Sequence, residues 1–207
     1  DAYLELLNPS RVVTALIHED IVSSQANEVE AKLVAALAFC LRNSMSKVLD
    51  SGEPDIFEPY TDNDFFEIGI GVVTPHKAQK ALVIRELKNL FPHADPVKIF
   101  EAVDTVERFQ GGERQTILVS FGVGDTDIIE GEEAFLLQME RTNVAVSRAQ
   151  AKCIVIMPKA LAYHLPSDQK AAKTAIALKS YIEEFCSNRK LVTIDSGKVR
   201  HGEVRWH

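Results

Sequence analysis

Long apolar runs are missing from this chain of 207 residues: nothing in it approaches the roughly 18 consecutive apolar residues of a membrane span. Cysteine is scarce as well. Cys40, Cys153 and Cys186 are odd in number and far apart, which supplies neither a metal quartet nor a disulfide framework. A reducing, intracellular compartment is the expected setting, cytoplasmic, or nuclear in a eukaryote. The opening residues Asp1 to Glu5 lack the basic n-region of a secretory signal, and the absent initiator Met is expected of a piece of a longer protein. Six histidines show no H-x-x-x-H or Cys-His ligand spacing, so no metal site is expected.

A phosphate loop is lacking too. Gly197-Lys198 is followed by Val199 where Ser or Thr is needed, and the position five before Gly197 is Val192. The pairs Gly69/Gly71 and Gly122/Gly124 do not extend to a dinucleotide fingerprint, because Thr74 and Asp127 hold the third position. No apolar strand ends in an Asp-Glu pair that would hold magnesium. Autonomous metal hydrolysis and hydride chemistry are therefore not expected. An excess of positive charge is the last absence: 23 Lys and Arg against 30 Asp and Glu give −7, which at face value argues against nucleic acid.

What is present is ordinary globular composition, with 46% hydrophobic residues, enough to bury about 70% of the unfolded surface. β-Branched apolar runs alternate with helical stretches, the pattern of an α/β fold with a mainly parallel sheet flanked by helices. Strands are expected at Val12–Ile17, Ile68–Thr74, Lys98–Val103, Thr116–Phe121, Lys152–Met157 and Leu191–Ile194. Helices are expected at Ala26–Asn43, Lys77–Leu90, Glu132–Gln150 and Gln169–Ser187, the first with a buried stripe of Val29, Leu33, Ala36, Leu37 and Cys40. Asp50–Glu67 carries seven acids, two prolines and no base, and reads as an acidic surface loop. Asp125–Glu140 holds six more acids and no base, so outside the two stretches 17 acids face 23 bases. The acidity is segregated, and a nucleic-acid partner is not excluded.

Three segments carry chemistry. In IGIGVVTPHKAQ, Ile68 to Gln79, a strand runs into Thr74 as N-cap and Pro75 as first helical residue, with Lys77, Lys80, Arg85 and Lys88 following against one acid, Glu86. Such a start suits a backbone phosphate, though a plain strand-to-helix turn with a basic face carries the same letters. In VDTVERFQGGERQTILVS, Val103 to Ser120, Gly111 and Gly112 permit a close backbone approach and Glu113 can accept from a ribose hydroxyl; a simple turn is the alternative. In ERTNVAVSRAQAKCIVIMP, Glu140 to Pro158, Arg141 and Arg148 lie seven apart, on one face if helical. Either could stabilise charge on a transferred phosphoryl group or pair with the upstream acids.

Together and in this order, the three segments resemble the C-terminal RecA-like motor domain of superfamily 1 helicases, closest to the branch of the nonsense-mediated-decay RNA helicases and the DNA helicase-nucleases. The stretch Ser24 to Ala31 resembles the Asn-x-x-Glu-Ala helix that precedes them, and the likeness spans about Ser23 to Pro158. The resemblance implies a P-loop NTPase-type α/β domain over residues 1–160, with 161–207 a C-terminal helix and extension packing on it. It implies ATP and Mg2+ as cofactors, bound mainly by a first motor domain that precedes this segment, and single-stranded nucleic acid as partner, DNA ahead of RNA. Glu113 then matches the carboxylate at the nucleotide ribose, Arg148 the catalytic arginine at the γ-phosphate, and Gly111 a position at the nucleotide. Thr74, Pro75, Thr105 and Gln110 match positions along the nucleic acid, and Arg141 and Asn143 positions that brace the arginine. His76 departs from the family's usual Tyr. A non-catalytic RecA-like module for protein docking, using the acidic stretches, is the alternative. The basic and aromatic tail, Lys198 to His207, could meet a single strand or form a terminal strand.

Overall fold

The computed structural model describes residues 2–49, 56–105, 113–137, 147–167, 169–195 and 199–207. Its centre is a seven-stranded sheet built from β1 (Val13–His18), β4 (Ile70–Thr74), β5 (Val103–Thr105), β6 (Arg114–Ser120), β7 (Ala149–Pro158), β8 (Asn188–Asp195) and β9 (Val199–Trp206), in the order β5-β4-β6-β7-β1-β9-β8. The first five run parallel; β9 joins β1, and β8 joins β9, antiparallel. A small hairpin, β2 (Ser46–Leu49) and β3 (Ile56–Pro59), stands apart.

The parallel strands are buried on both faces, and period two divides them between two cores. Leu16, Leu118, Ile154 and Ile156 face one core with α1 (Leu4–Leu7), α2 (Glu28–Ser44), α4 (Lys77–Leu90) and α5 (Pro96–Ala102). Ala15, Ile17, Ile117, Val119, Val155 and Met157 face the other, with α6 (Thr126–Gly131), α7 (Glu133–Leu136), α8 (Lys159–Ala162) and α9 (Gln169–Ser180). The expected mainly parallel α/β architecture is the one observed.

Several local expectations are corrected. Lys98–Val103 is not a strand: Asp95 accepts from Val97 N at 2.8 Å and Pro96 opens α5, so cap and N1 proline make a helix in which Ile99 and Ala102 are buried, leaving only Val103–Thr105 as strand. Phe65–Gly69 forms a π turn after the short α3 (Asp62–Asp64), which delays β4 to Ile70. Residues 50–55 of the acidic segment lie outside the described residues, and its described part, 56–67, is less of a surface loop than its charge suggested, because Tyr60, Phe65 and Phe66 are buried and Phe66 meets Phe91 edge-on at 5.0 Å. Fully burying a ring of that size contributes about 2–3 kcal/mol, which outweighs the preference of the intervening acids for water. Of the expected α2 stripe, Val29 and Leu37 are buried and Leu33 packs against the core, but Ala36 and Cys40 are exposed, and Glu30, Ala31, Val34, Ala35, Ala38 and Leu41 complete the buried face. Alanines there allow close packing on α4. In α9 and the π turn that continues it, Leu178, Tyr181 and Ile182 are buried but Ile176 and Phe185 are exposed.

The helix expected over Glu132–Gln150 is also revised, since α7 ends at Leu136 and Ala149 and Gln150 already belong to β7. Val199–Trp206 of the tail form β9, the terminal strand among the two readings, with Arg205 only 3% exposed among Glu203, Glu183 and Tyr163; Lys198 lies outside the described residues. Among the described residues no helix is long and apolar enough to cross a membrane.

Candidate functional site

The parallel strands give the sheet two edges, and the singled-out residues divide between them. At the amino ends of β6 and β7 stand Glu113 and Arg148. Arg114 N donates to Arg148 O at 3.0 Å, and Gln150 Nε2 donates to the Glu113 carboxylate at 2.8 Å. Glu113 is exposed and Arg148 half-buried, and among the described residues the buried Nε atoms of Arg148 and Arg114 have no hydrogen-bond partner. A guanidinium with an unmet buried donor beside an exposed carboxylate suits a ligand carrying both anionic oxygens and hydroxyls. Arg148 is the turn residue between helical Ser147 and β7, and its carbonyl is tied to Arg114 N. Gly111, Gln110, Arg141 and Asn143 lie outside the described residues.

Beneath this edge, Lys152 is buried, its ammonium donating to Asn8 O at 2.9 Å and to Arg11 O. Burial first, then the charge of Arg11, pushes its pKa down to about 8. Lysine ordinarily titrates near 10.5, so between about 8 and 10.5 the unfolded chain binds more protons and stability rises with pH. Lys152→Met should flatten that rise, checked by urea denaturation of both proteins at about pH 7.5 and about pH 10. An identical pH slope in the two would remove Lys152 as its source.

At the carboxyl ends of β4 and β5, Thr74 and Thr105 are direct register partners, about 20 Å along the strands from Glu113. The expectation that Thr74 caps α4 with Pro75 at N1 is corrected: Thr74 is the last strand residue, His76 occupies the cap and the helix starts at Lys77. Thr74 Oγ1 donates to His76 O at 3.1 Å, which ties the Thr74-Pro75 turn down. His76 does not project from it, because its ring packs against Phe135 at 5.4 Å and lies 3.1 Å from Glu132. Burial holds its pKa below the usual value against the opposing pull of Glu132. Thr105 N donates to Asp104, whose carboxylate also holds Lys80 at 2.9 Å.

Between these threonines and the centre of the sheet lies a buried polar network built on Asn27, Glu30 and Gln79, which stand in the Ser24–Ala31 and Ile68–Gln79 segments that carry the resemblance but were given no role there. Glu30, fully buried on α2, accepts from Ser120 Oγ at 2.6 Å and Gly122 N at 2.9 Å, and its other oxygen lies 2.8 Å from His18 Nε2. Gln79, fully buried on α4, accepts from Asn27 N at 2.7 Å and donates to Ser120 Oγ at 2.8 Å. Asn27 caps α2 through Glu30 N and donates to Asp20, which also binds Arg200 at 2.8 Å. Burial alone would raise the Asp20 pKa, but hydrogen bonds from Ser23 and Arg200 outweigh it and hold it below the ordinary value. Gly122 has φ +70° and an added Cβ there would lie 2.8 Å from Gln79, so only glycine fits. The available signal was polar side chains at positions 27, 30 and 79, on otherwise apolar helix faces.

A family model described as an AAA domain matches residues 11–160. The DNA replication ATP-dependent helicase/nuclease dna2 of Schizosaccharomyces pombe is 29% identical over 153 residues, 73% of this chain and 9% of that protein. The probable RNA helicase armi of Drosophila melanogaster is 36% identical over 90 residues, 42% of this chain and 7% of its own length. The human probable helicase senataxin is 31% identical over 87 residues, 42% of this chain and 3% of its own length. The chain thus spans less than a tenth of each of these relatives.

Proposed function

The chain belongs to the AAA-domain family of superfamily 1 helicases, and from that premise we propose that it is the second RecA-like motor domain of an ATP-dependent helicase acting on single-stranded nucleic acid. The observation that carries the reading is the division of its site between the two edges of one sheet. Residues 1–160 are taken as the motor unit and 161–207 as the extension that packs on it. ATP with Mg2+, held mainly by a phosphate-loop domain elsewhere in the protein, supplies the phosphoanhydride bond. Towards it this chain offers the Arg148 guanidinium to phosphoryl oxygens and the Glu113 carboxylate, with Gly111, to the ribose side. The other edge offers Thr74, Pro75 and Thr105 to the strand, and Gln110, outside the described residues, is assigned to the same contact by its motif alone.

Strands β4, β6 and β7 join the two edges through parallel pairing, interrupted only by a register shift between Arg114 and Thr116 in the described β6–β7 ladder, and through close-packed cores, so the edges move as one body. A nucleotide that binds the closed arrangement better than the open one shifts the whole domain, and with it the grip on nucleic acid. Alone, the chain should bind single-stranded oligonucleotide with salt-sensitive affinity and turn over no ATP, read by fluorescence anisotropy and phosphate release. ATP turnover by the purified chain, or no oligonucleotide binding at low salt, overturns the proposal.

A further inference from the structure

Beside Thr105, at the outer edge of the sheet, lies an open cavity of about 310 Å³ lined by Lys77, Lys80, Ile84, Phe100, Asp104 and Thr105. Its size is near the lower end of the about 300–1,000 Å³ range of small-ligand sites, enough for a planar heterocycle. One wall is α4, whose described charges are Lys77, Lys80, Arg85 and Lys88 against the single acid Glu86. The other wall is the α5–β5 segment. Helical spacing in α5 buries Ile99 and Ala102 and turns Phe100 outward, where its ring stays 55% exposed, with Val97 58% exposed one turn before it.

The ring is not loose. Lys80 Nζ sits 4.4 Å from its centroid and is anchored 2.9 Å from Asp104, so a cation already covers part of the ring and the remainder is open. Asp104 neutralises Lys80, whereas Lys77, exposed at the mouth of the cavity, has no ion pair among the described residues. A flat aromatic surface, an unpaired ammonium one helical turn from the lysine that covers it, and a threonine from the strand end form a set that matches one unit of a single strand: a base to stack and a phosphate to pair.

We infer that this cavity is a base-stacking subsite, in which one base of a single-stranded nucleic acid lies against Phe100 while its phosphate meets Lys77; the inference rests on the helicase reading above and gives it a specific contact. The test compares, by anisotropy on the purified chain, a thymidylate strand of about 12 nucleotides with an abasic strand of equal length, within the site sizes usual for single-strand binders. The wild-type chain should prefer the strand with bases by about tenfold, the scale of one aromatic stack. Phe100→Ala should erase the preference and leave abasic binding unchanged, and Phe100→Trp should keep it. Lys77→Ala should weaken both strands alike and reduce the salt slope by about one. Because Phe100 is more than half exposed, its removal leaves the core intact, which circular dichroism checks.

A thymidylate preference that survives Phe100→Ala overturns the subsite and leaves the helicase reading standing. Binding of neither strand by the wild-type chain overturns both. Unchanged strand binding with loss of self-association in Phe100→Ala, read by sedimentation, would make the Val97–Phe100 surface a protein contact and likewise overturn the inference.

Discussion

In a helicase that carries this domain with its phosphate-loop partner, Arg148→Ala is expected to lower ATP turnover by about 10³-fold, the scale of arginines that meet a transferring phosphoryl group. That loss corresponds to about 4 kcal/mol of transition-state stabilisation. The side chain is half-buried, and its buried Nε donates to nothing among the described residues, so truncation breaks no described hydrogen bond of the fold. The melting curve should therefore stay close to wild type while turnover collapses, and that separation distinguishes a catalytic arginine from a structural one. Arg148→Lys should not restore the rate, because an ammonium lacks the planar fork that reaches two phosphoryl oxygens. Steady-state phosphate release at saturating nucleic acid is the measurement; turnover within a few-fold of wild type would remove Arg148 from the chemistry.

The same residue shows how far the sequence could be read. Arg148 was singled out from its motif, yet the end of the expected helix was not legible, because the choice between helix and strand at Ala149 and Gln150 depends on pairing with Arg114, far away in sequence. Parallel strands of continuous Val, Ile and Leu announced themselves, since burial on both faces removes polar alternation. The segment Lys98–Val103 looked equally apolar, and only the Asp95-Pro96 cap in front of it marks a helix. Acidic residues hid Phe65 and Phe66, whose burial decides that region. Tertiary hydrogen bonding was least legible: that Glu30 and Gln79 meet at Ser120 follows from no local pattern, as residue separations of 90 and 41 are involved.

That junction carries the largest expected effect on stability. Glu30 is fully buried and satisfies three groups from two parts of the chain: the Ser120 hydroxyl at the end of β6 with the Gly122 amide just after it, and the His18 imidazole at the end of β1. Glu30→Ala leaves all three in a closed interior without an acceptor, and removing one member of such a buried set costs about 3–5 kcal/mol. For a chain of this size the expected drop in Tm is about 10 °C. Glu30→Gln should cost less, about 1–2 kcal/mol. Its amide oxygen still accepts, and its NH2 can face His18 if the imidazole moves its proton to Nδ1, an atom with no partner among the described residues. Gln79 shares Ser120 with Glu30, so Gln79→Ala and Glu30→Ala should be strongly non-additive, the double variant losing less than the sum. Urea denaturation of the four proteins decides it. A Glu30→Ala chain within about 1 kcal/mol of wild type, or strict additivity with Gln79→Ala, would mean that water replaces the carboxylate and that the network does not hold β1, β6, α2 and α4 together beneath the Thr74-Pro75 turn.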